Sequence, residues 1–175
     1  CDERIVNDFL CGLFHDLPEV LTRDIISPVK TSVEGLDDLI KDIEKRQVAE
    51  KLLPLLPWGW HEEIIYFTQN EFTNRIMLDG VPTEVSEEEL NGKYNVDGHV
   101  YKAVDGRMLK GCDHLAAFVE AYLSTEYGIT SKHLLNGMAD LREKYKTKPL
   151  PTLILAQFMT NFRNLKPIYK LNASL

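Results

Sequence analysis

Cysteine is scarce and scattered. Cys1, Cys11 and Cys112 form an odd set with no CxxC spacing, which argues against both a disulfide framework and a zinc–thiolate centre. A reducing compartment is the simplest reading. Long apolar runs are missing too: none approaches the roughly 20 residues of a membrane span, and no basic start leads into an apolar stretch of the signal-peptide kind. These absences predict a soluble, cytoplasmic protein without membrane contact. Basic residues are outnumbered, 20 Lys and Arg against 27 Asp and Glu, for a net charge of −7. A nucleic-acid polymer is therefore not an expected partner, because the basic footprint it requires is lacking. A small phosphorylated ligand stays open, since local cations or a metal outweigh the global sign at short range. No repeat of 20 to 50 residues and no low-complexity segment is visible.

What is present is a chain of 175 residues, the size of one ordinary domain, able to bury about two-thirds of the surface its unfolded form exposes. Ile5, Phe9, Leu10, Leu13 and Phe14 follow the rhythm of a buried helical stripe and predict a first helix ending near His15. A second helix is expected from a cap at Thr31 or Ser32, with Leu36, Leu39, Ile40, Ile43 and Val48 on one face, up to Pro54 and Pro57. Trp60 to Phe72, Leu109 to Tyr127 closed by Gly128, Ser131 to Tyr145 and Thr152 to Leu165 read as further helices. Residues 75–106 differ: Asp-Gly occurs three times there, with frequent Val and Tyr. "KYNVDGHVYKAV" reads as a hairpin with a two-residue turn. Ser86 in "SEEEL" is expected to cap a helix. Trp58 and Trp60 are expected as core plugs and Phe158, Met159 and Phe162 as a core stripe.

Chemistry concentrates in "CGLFHDLPEVLTRDIISPVK", residues 11–30. His15 and Asp16, consecutive at a helix end, can both reach one divalent ion with the mixed nitrogen and oxygen ligation that suits first-row metals. Pro18 predicts a kink or restart that keeps Glu19 near. Asp24 follows before a Ser27-Pro28 turn able to offer hydroxyl and backbone N–H groups to an anion. The plain alternative makes His15 a helix C-terminal histidine, Asp16 a turn residue, and Glu19 and Asp24 first-turn and cap acids.

The run His15, Asp16, Glu19, Val20, Leu21, Asp24, Pro28, Val29, Lys30 resembles the signature of HD-domain metal-dependent phosphohydrolases, most closely their bacterial 5′-deoxynucleotidase branch. "LKGCDHLAAFVEAYL" is similar to that family's late helix, where Asp113 would supply a further ligand. The resemblance implies an all-α helical bundle, here with a small β-hairpin insertion at about residues 75–106, over a single domain 1–175. It implies a divalent metal (Mn, Co, Fe, Ni, Zn or Mg) held by His15, Asp16 and Asp113. Glu19 would activate or position water, and Asp24 would act beside it. Asp24, Ile25, Ile26, Ser27 and Lys30 would contact the sugar or phosphate of a nucleotide. The implied activity is phosphate release from (deoxy)nucleoside 5′-monophosphates. The alternatives are hydrolysis of a triphosphate, cyclic nucleotide or alarmone, or a degenerate domain kept for interaction.

One departure from the pattern matters. Members of the family use a metal-binding histidine on a helix upstream of the His-Asp pair, and the nucleotidases an N-terminal arginine; this chain begins 14 residues before His15 with neither. An N-terminal segment from elsewhere, as in an association that completes the ligand set, is the expectation. His61, foremost among His61, His99, His114 and His133, is a substitute candidate. The resemblance also implies homodimers.

Overall fold

The computed structural model describes residues 1–23, 33–98, 100–129 and 131–146. Two compact units emerge, 1–109 and from 110 onward. The first unit holds α1 (Asp2–Phe14), α2 (Glu19–Thr22), α3 (Leu36–Gln47), α4 (His61–Thr68), a two-stranded antiparallel sheet of β1 (Arg75–Leu78) and β2 (Val81–Glu84), and α5 (Glu87–Asn91). Helix α6 (Gly106–Glu126) starts within it, and α7 (Lys132–Lys146) lies in the second. The chain is mostly helical with one small hairpin, as expected. Thr152 to Leu165, with its stripe of Phe158, Met159 and Phe162, lies outside the described residues.

Local chemistry sets the boundaries. Ser86 and Glu89 form a reciprocal capping box, Ser86 Oγ accepting from the Glu89 N–H at 3.2 Å and Glu89 Oε2 accepting from the Ser86 N–H at 3.0 Å, which fixes the start of α5. Asp105 caps α6 by accepting the Met108 N–H at 2.9 Å. At the other end of α6, Gly128 takes φ +85°, with the Ile129 N–H bonded to Ser124 O, the left-handed termination expected there. Helix α3 runs on into a π-helical stretch, Val48–Leu52, and a 3₁₀ turn, Leu53–Leu55. Pro54 has no N–H to continue an α-helical ladder.

The sequence places the hairpin at the wrong Asp-Gly. The turn is Asp79-Gly80, both at positive φ, with Arg75 opposite Glu84 and Leu78 opposite Val81. Residues 101–104 follow β1 without forming a strand, through Met77 N–H to Tyr101 O and the reciprocal Arg75–Val104 bridge.

This irregular segment also explains why α1 is turned. Its inward face is Asn7, Asp8 and Cys11, while Ile5, Phe9 and Leu13 are each at least 60% exposed. Asn7 Nδ2 donates to Ala103 O at 3.2 Å, and Asp8 Oδ1 accepts the Asp105 N–H at 2.7 Å. Backbone groups of an unladdered segment need partners, and α1 supplies them from its polar side. Leu10 and Phe14 pack as expected, against Cys11, Tyr66, Phe67 and Val104. Two further clusters fill the unit, one around Ile76, Leu90, Tyr94 and Ala103, the other around Val48, Leu53 and Ile64. The second unit is centred on Phe118, Met138 and Tyr145. Trp58 and Trp60 are not core plugs: they are 86% and 57% exposed. The short 3₁₀ turn that carries them, Trp58–Trp60, buries none of its residues.

Candidate active site

A cavity of about 250 Å³ opens in the first unit between the α1–α2 turn, one face of α3 and residues 68–73. Three of the residues singled out in the sequence line it: His15, Asp16 and Glu19. The chain does not break at His15. It passes through tight turns, with Leu17 N–H on Phe14 O and Glu19 N–H on Asp16 O, and restarts as α2 behind a buried Pro18. Proline at this entry suits a restart, because its fixed φ is already helical and it gives up no needed donor.

His15 is fixed on two sides. Its Nδ1 meets Gly12 O at 2.8 Å, and its ring lies edge-on to Phe72 with centroids 5.8 Å apart. A neutral ring donating from Nδ1 carries its lone pair on Nε2. That atom is 3.1 Å from Asp16 Oδ2. Two donors bound to one ion at about 2.0–2.2 Å and subtending a tetrahedral or octahedral angle sit about 3 to 3.5 Å apart. The pair therefore fits a first-row divalent ion, and the Gly12 carbonyl is the outer partner that orients a ligating imidazole. Among the described residues, no three His, Cys, Asp or Glu side chains are already gathered as a cage. His15 and Asp16 are the two candidate donors that the structure brings together.

The remaining expectations divide. Asp113, on α6 in the second unit, pairs with Lys110 at 3.0 Å. Asp24, Ile25, Ile26, Ser27 and Lys30 lie outside the described residues, as does His99. His61 bonds Leu56 O through Nε2 at 3.1 Å and does not line the cavity. His114 meets the Tyr145 hydroxyl, and His133 is exposed on α7.

Sequence reasoning missed the rest of the walls. Ile40, Lys41, Glu44, Lys45 and Val48 turn one face of α3 to the cavity, the i, i+1, i+4, i+5, i+8 pattern of a single helical side. Glu44 Oε1 accepts the Thr22 hydroxyl at 3.1 Å, tying that face to α2. The wall from 69 to 73 is held from behind by Arg75, which is 2% exposed. Its Nη1 donates to Asn70 O at 2.9 Å and Thr73 O at 3.2 Å; its Nη2 donates to Tyr66 O at 2.9 Å and Cys11 Sγ at 3.3 Å. The guanidinium also lies over the Tyr66 ring, 4.9 Å from its centroid. Burial pushes the Cys11 thiol up, against the pull of Arg75, so Cys11 stays a thiol whose S–H points to Phe67 O. The signal in the sequence was an arginine opening the otherwise apolar strand "RIML".

Residues 1–142 match the protein family described as an HD domain. The chain belongs to the HD-domain family. The match spans most of its length and includes both the His15–Asp16 pair and Asp113. HD domains typically bind divalent metals and work in general as metal-dependent phosphohydrolases. Comparison with curated proteins and with solved structures gives no match. Among the described residues, no helix of this HD domain is long and apolar enough to cross a membrane.

Proposed function

We propose that this HD domain is a nucleotidase, releasing phosphate from (deoxy)nucleoside 5′-monophosphates with a divalent ion held by His15, Asp16 and Asp113. The observation that carries the reading is the 3.1 Å approach of His15 Nε2 to Asp16 Oδ2 at a cavity lined also by Glu19. When bound, a divalent ion polarises a phosphoryl oxygen and lowers the pKa of its water from 15.7 toward about 7. The chain's own residues do the rest. The contact of Nδ1 with Gly12 O turns Nε2 toward Asp16. The Glu19 carboxylate accepts the proton released by the attacking water, a positioned transfer worth about 10² to 10⁴ in rate. Phe72 limits rotation of the imidazole. Asp24, Ile25, Ile26, Ser27 and Lys30 are proposed to hold the sugar and phosphate.

Completion of the ligand set by association, with a second copy or with a segment carrying a further histidine, belongs to the same proposal. The exposed stripe of Ile5, Phe9 and Leu13 on α1 supports it. The test is phosphate release across nucleoside monophosphates with Mn or Co, for wild type and Asp16→Ala. Turnover by the wild type that Asp16→Ala abolishes supports the reading; no release from any monophosphate by a metal-loaded, complete assembly ends it.

A further inference from the structure

The cavity has one wall that the metal chemistry does not use. Helix α3 presents Lys41 and Lys45 to it, one helical turn apart, above the buried Ile40 and Val48. Two cations at i, i+4 disfavour each other by a few tenths of a kcal/mol. The chain as a whole is acidic, at −7, so diffuse charge does not explain two lysines on one cavity face. Glu44, the acid between them, accepts a hydroxyl from Thr22 and so anchors α3 to α2.

The backbone singles out the same place. The π-helical stretch begins at Val48, three residues after Lys45, and the Val48 N–H is shared between Glu44 O and Lys45 O. Such widened turns are rare and recur at functional sites. Here the departure from α geometry falls where α3 faces the cavity.

We infer that Lys41 and Lys45 form an anion-recognising wall that grips the phosphoryl oxygens of a phosphate monoester. The inference rests on the proposed function only in placing the reacting phosphate in this cavity. Each ammonium carries three donors, and charge-assisted bonds to a phosphate are about twice as strong as neutral ones. The acids at 16 and 19 serve the cation, and the lysines opposite serve the anion. This division gives α3, which lies outside the sequence signature, a direct role in choosing phosphorylated over unphosphorylated ligands.

Calorimetric titration of the full chain tests this, with inorganic phosphate, deoxyadenosine 5′-monophosphate and deoxyadenosine as probes, and manganese titrated separately. For Lys41→Gln/Lys45→Gln, both phosphate-bearing probes should bind at least tenfold more weakly. Manganese affinity should stay within twofold, or tighten as two nearby cations are removed. Lys41→Arg/Lys45→Arg should restore the affinity for phosphate. Unchanged phosphate affinity in the double glutamine variant overturns the inference, as does a wild-type chain that binds deoxyadenosine as well as its monophosphate. Lysine-dependent phosphate binding without hydrolysis of any monophosphate would support the inference while refuting the proposed function.

Discussion

A Cβ added to Gly106 would lie 2.3 Å from the backbone nitrogen of Thr73. The first residue of α6 is thus pressed against the segment that walls the cavity, with its other close neighbours also backbone atoms of Phe72 and Thr73. Backbone cannot rotate out of the way. Gly106→Ala is therefore expected to destabilise the chain by about 1–3 kcal/mol, despite alanine's helix preference of up to about 1 kcal/mol. Urea unfolding checks it, and a midpoint equal to that of wild type would refute the contact.

Arg75 should be more sensitive still. Replacing it with Met takes the guanidinium bonds away from the carbonyls of Tyr66, Asn70 and Thr73, of which Asn70 O keeps the Thr73 N–H, and bonds to a charged group are worth about 1.5–3 kcal/mol each. A loss of about 3 kcal/mol or more is expected. Arg75→Lys should recover only part of it, since a single ammonium cannot span both sides of the fork. The wall from 69 to 73 would loosen first, so amide exchange there should quicken in both variants. Full recovery with lysine would show that charge alone matters.

Asp8 makes stability depend on pH in an unusual direction. Burial is the main cause that raises its pKa from 3.8 to about 6, opposed by the Asp105 N–H it accepts and by Arg4 and Arg75. The folded state therefore binds the Asp8 proton more tightly than the unfolded state does. Its contribution is fully favourable below about pH 4 and is lost as pH rises through 6. Asp8→Asn keeps an oxygen for Asp105 and removes the charge. The variant is expected to be more stable than wild type at pH 7, on the order of 2 kcal/mol, with the gap closing near pH 4. Urea midpoints of the two proteins across that range decide it; a gap independent of pH would contradict the assignment.

At the cavity, His15→Ala and Asp16→Ala should each weaken manganese binding by at least tenfold and leave unfolding within about 1 kcal/mol of wild type, because Asp16 is exposed and the contacts described for the His15 ring nitrogens are those to Gly12 O and to Asp16 itself. Calorimetry with the metal alone reads the first effect and thermal unfolding the second. Manganese affinity unaffected by both substitutions would remove the pair from the metal site.

How much of this was legible follows from where the information sits. The His15–Asp16 pair could be read because both donors are adjacent in the chain and a helix end fixes their geometry. The Ser86 cap, the Gly128 termination and the extents of α6 and α7 are local too, and they emerge within a few residues of expectation. Orientation is not local. Apolar periodicity in α1 pointed to Ile5, Phe9 and Leu13 as its buried side, whereas the partner it meets is an irregular strip of backbone at 101–105 that needs polar side chains. The hairpin turned at Asp79-Gly80 rather than Asp97-Gly98, a choice that three equivalent dipeptides leave to packing around Ile76 and Leu90. The lysines of α3 and the buried Arg75 were invisible because their place follows from the cavity wall they line or support, which no local pattern marks.

The exposure of Trp58 and Trp60 has a practical side. These are the only two indoles in the chain, and both already meet solvent, so their emission will be red-shifted in the native protein and change little in wavelength on denaturation. Circular dichroism and tyrosine signals will follow global melting better. Trp58, with its ring 5.1 Å from the imidazole of His61 at the start of α4, is instead a built-in fluorescent reporter of local change at that helix end.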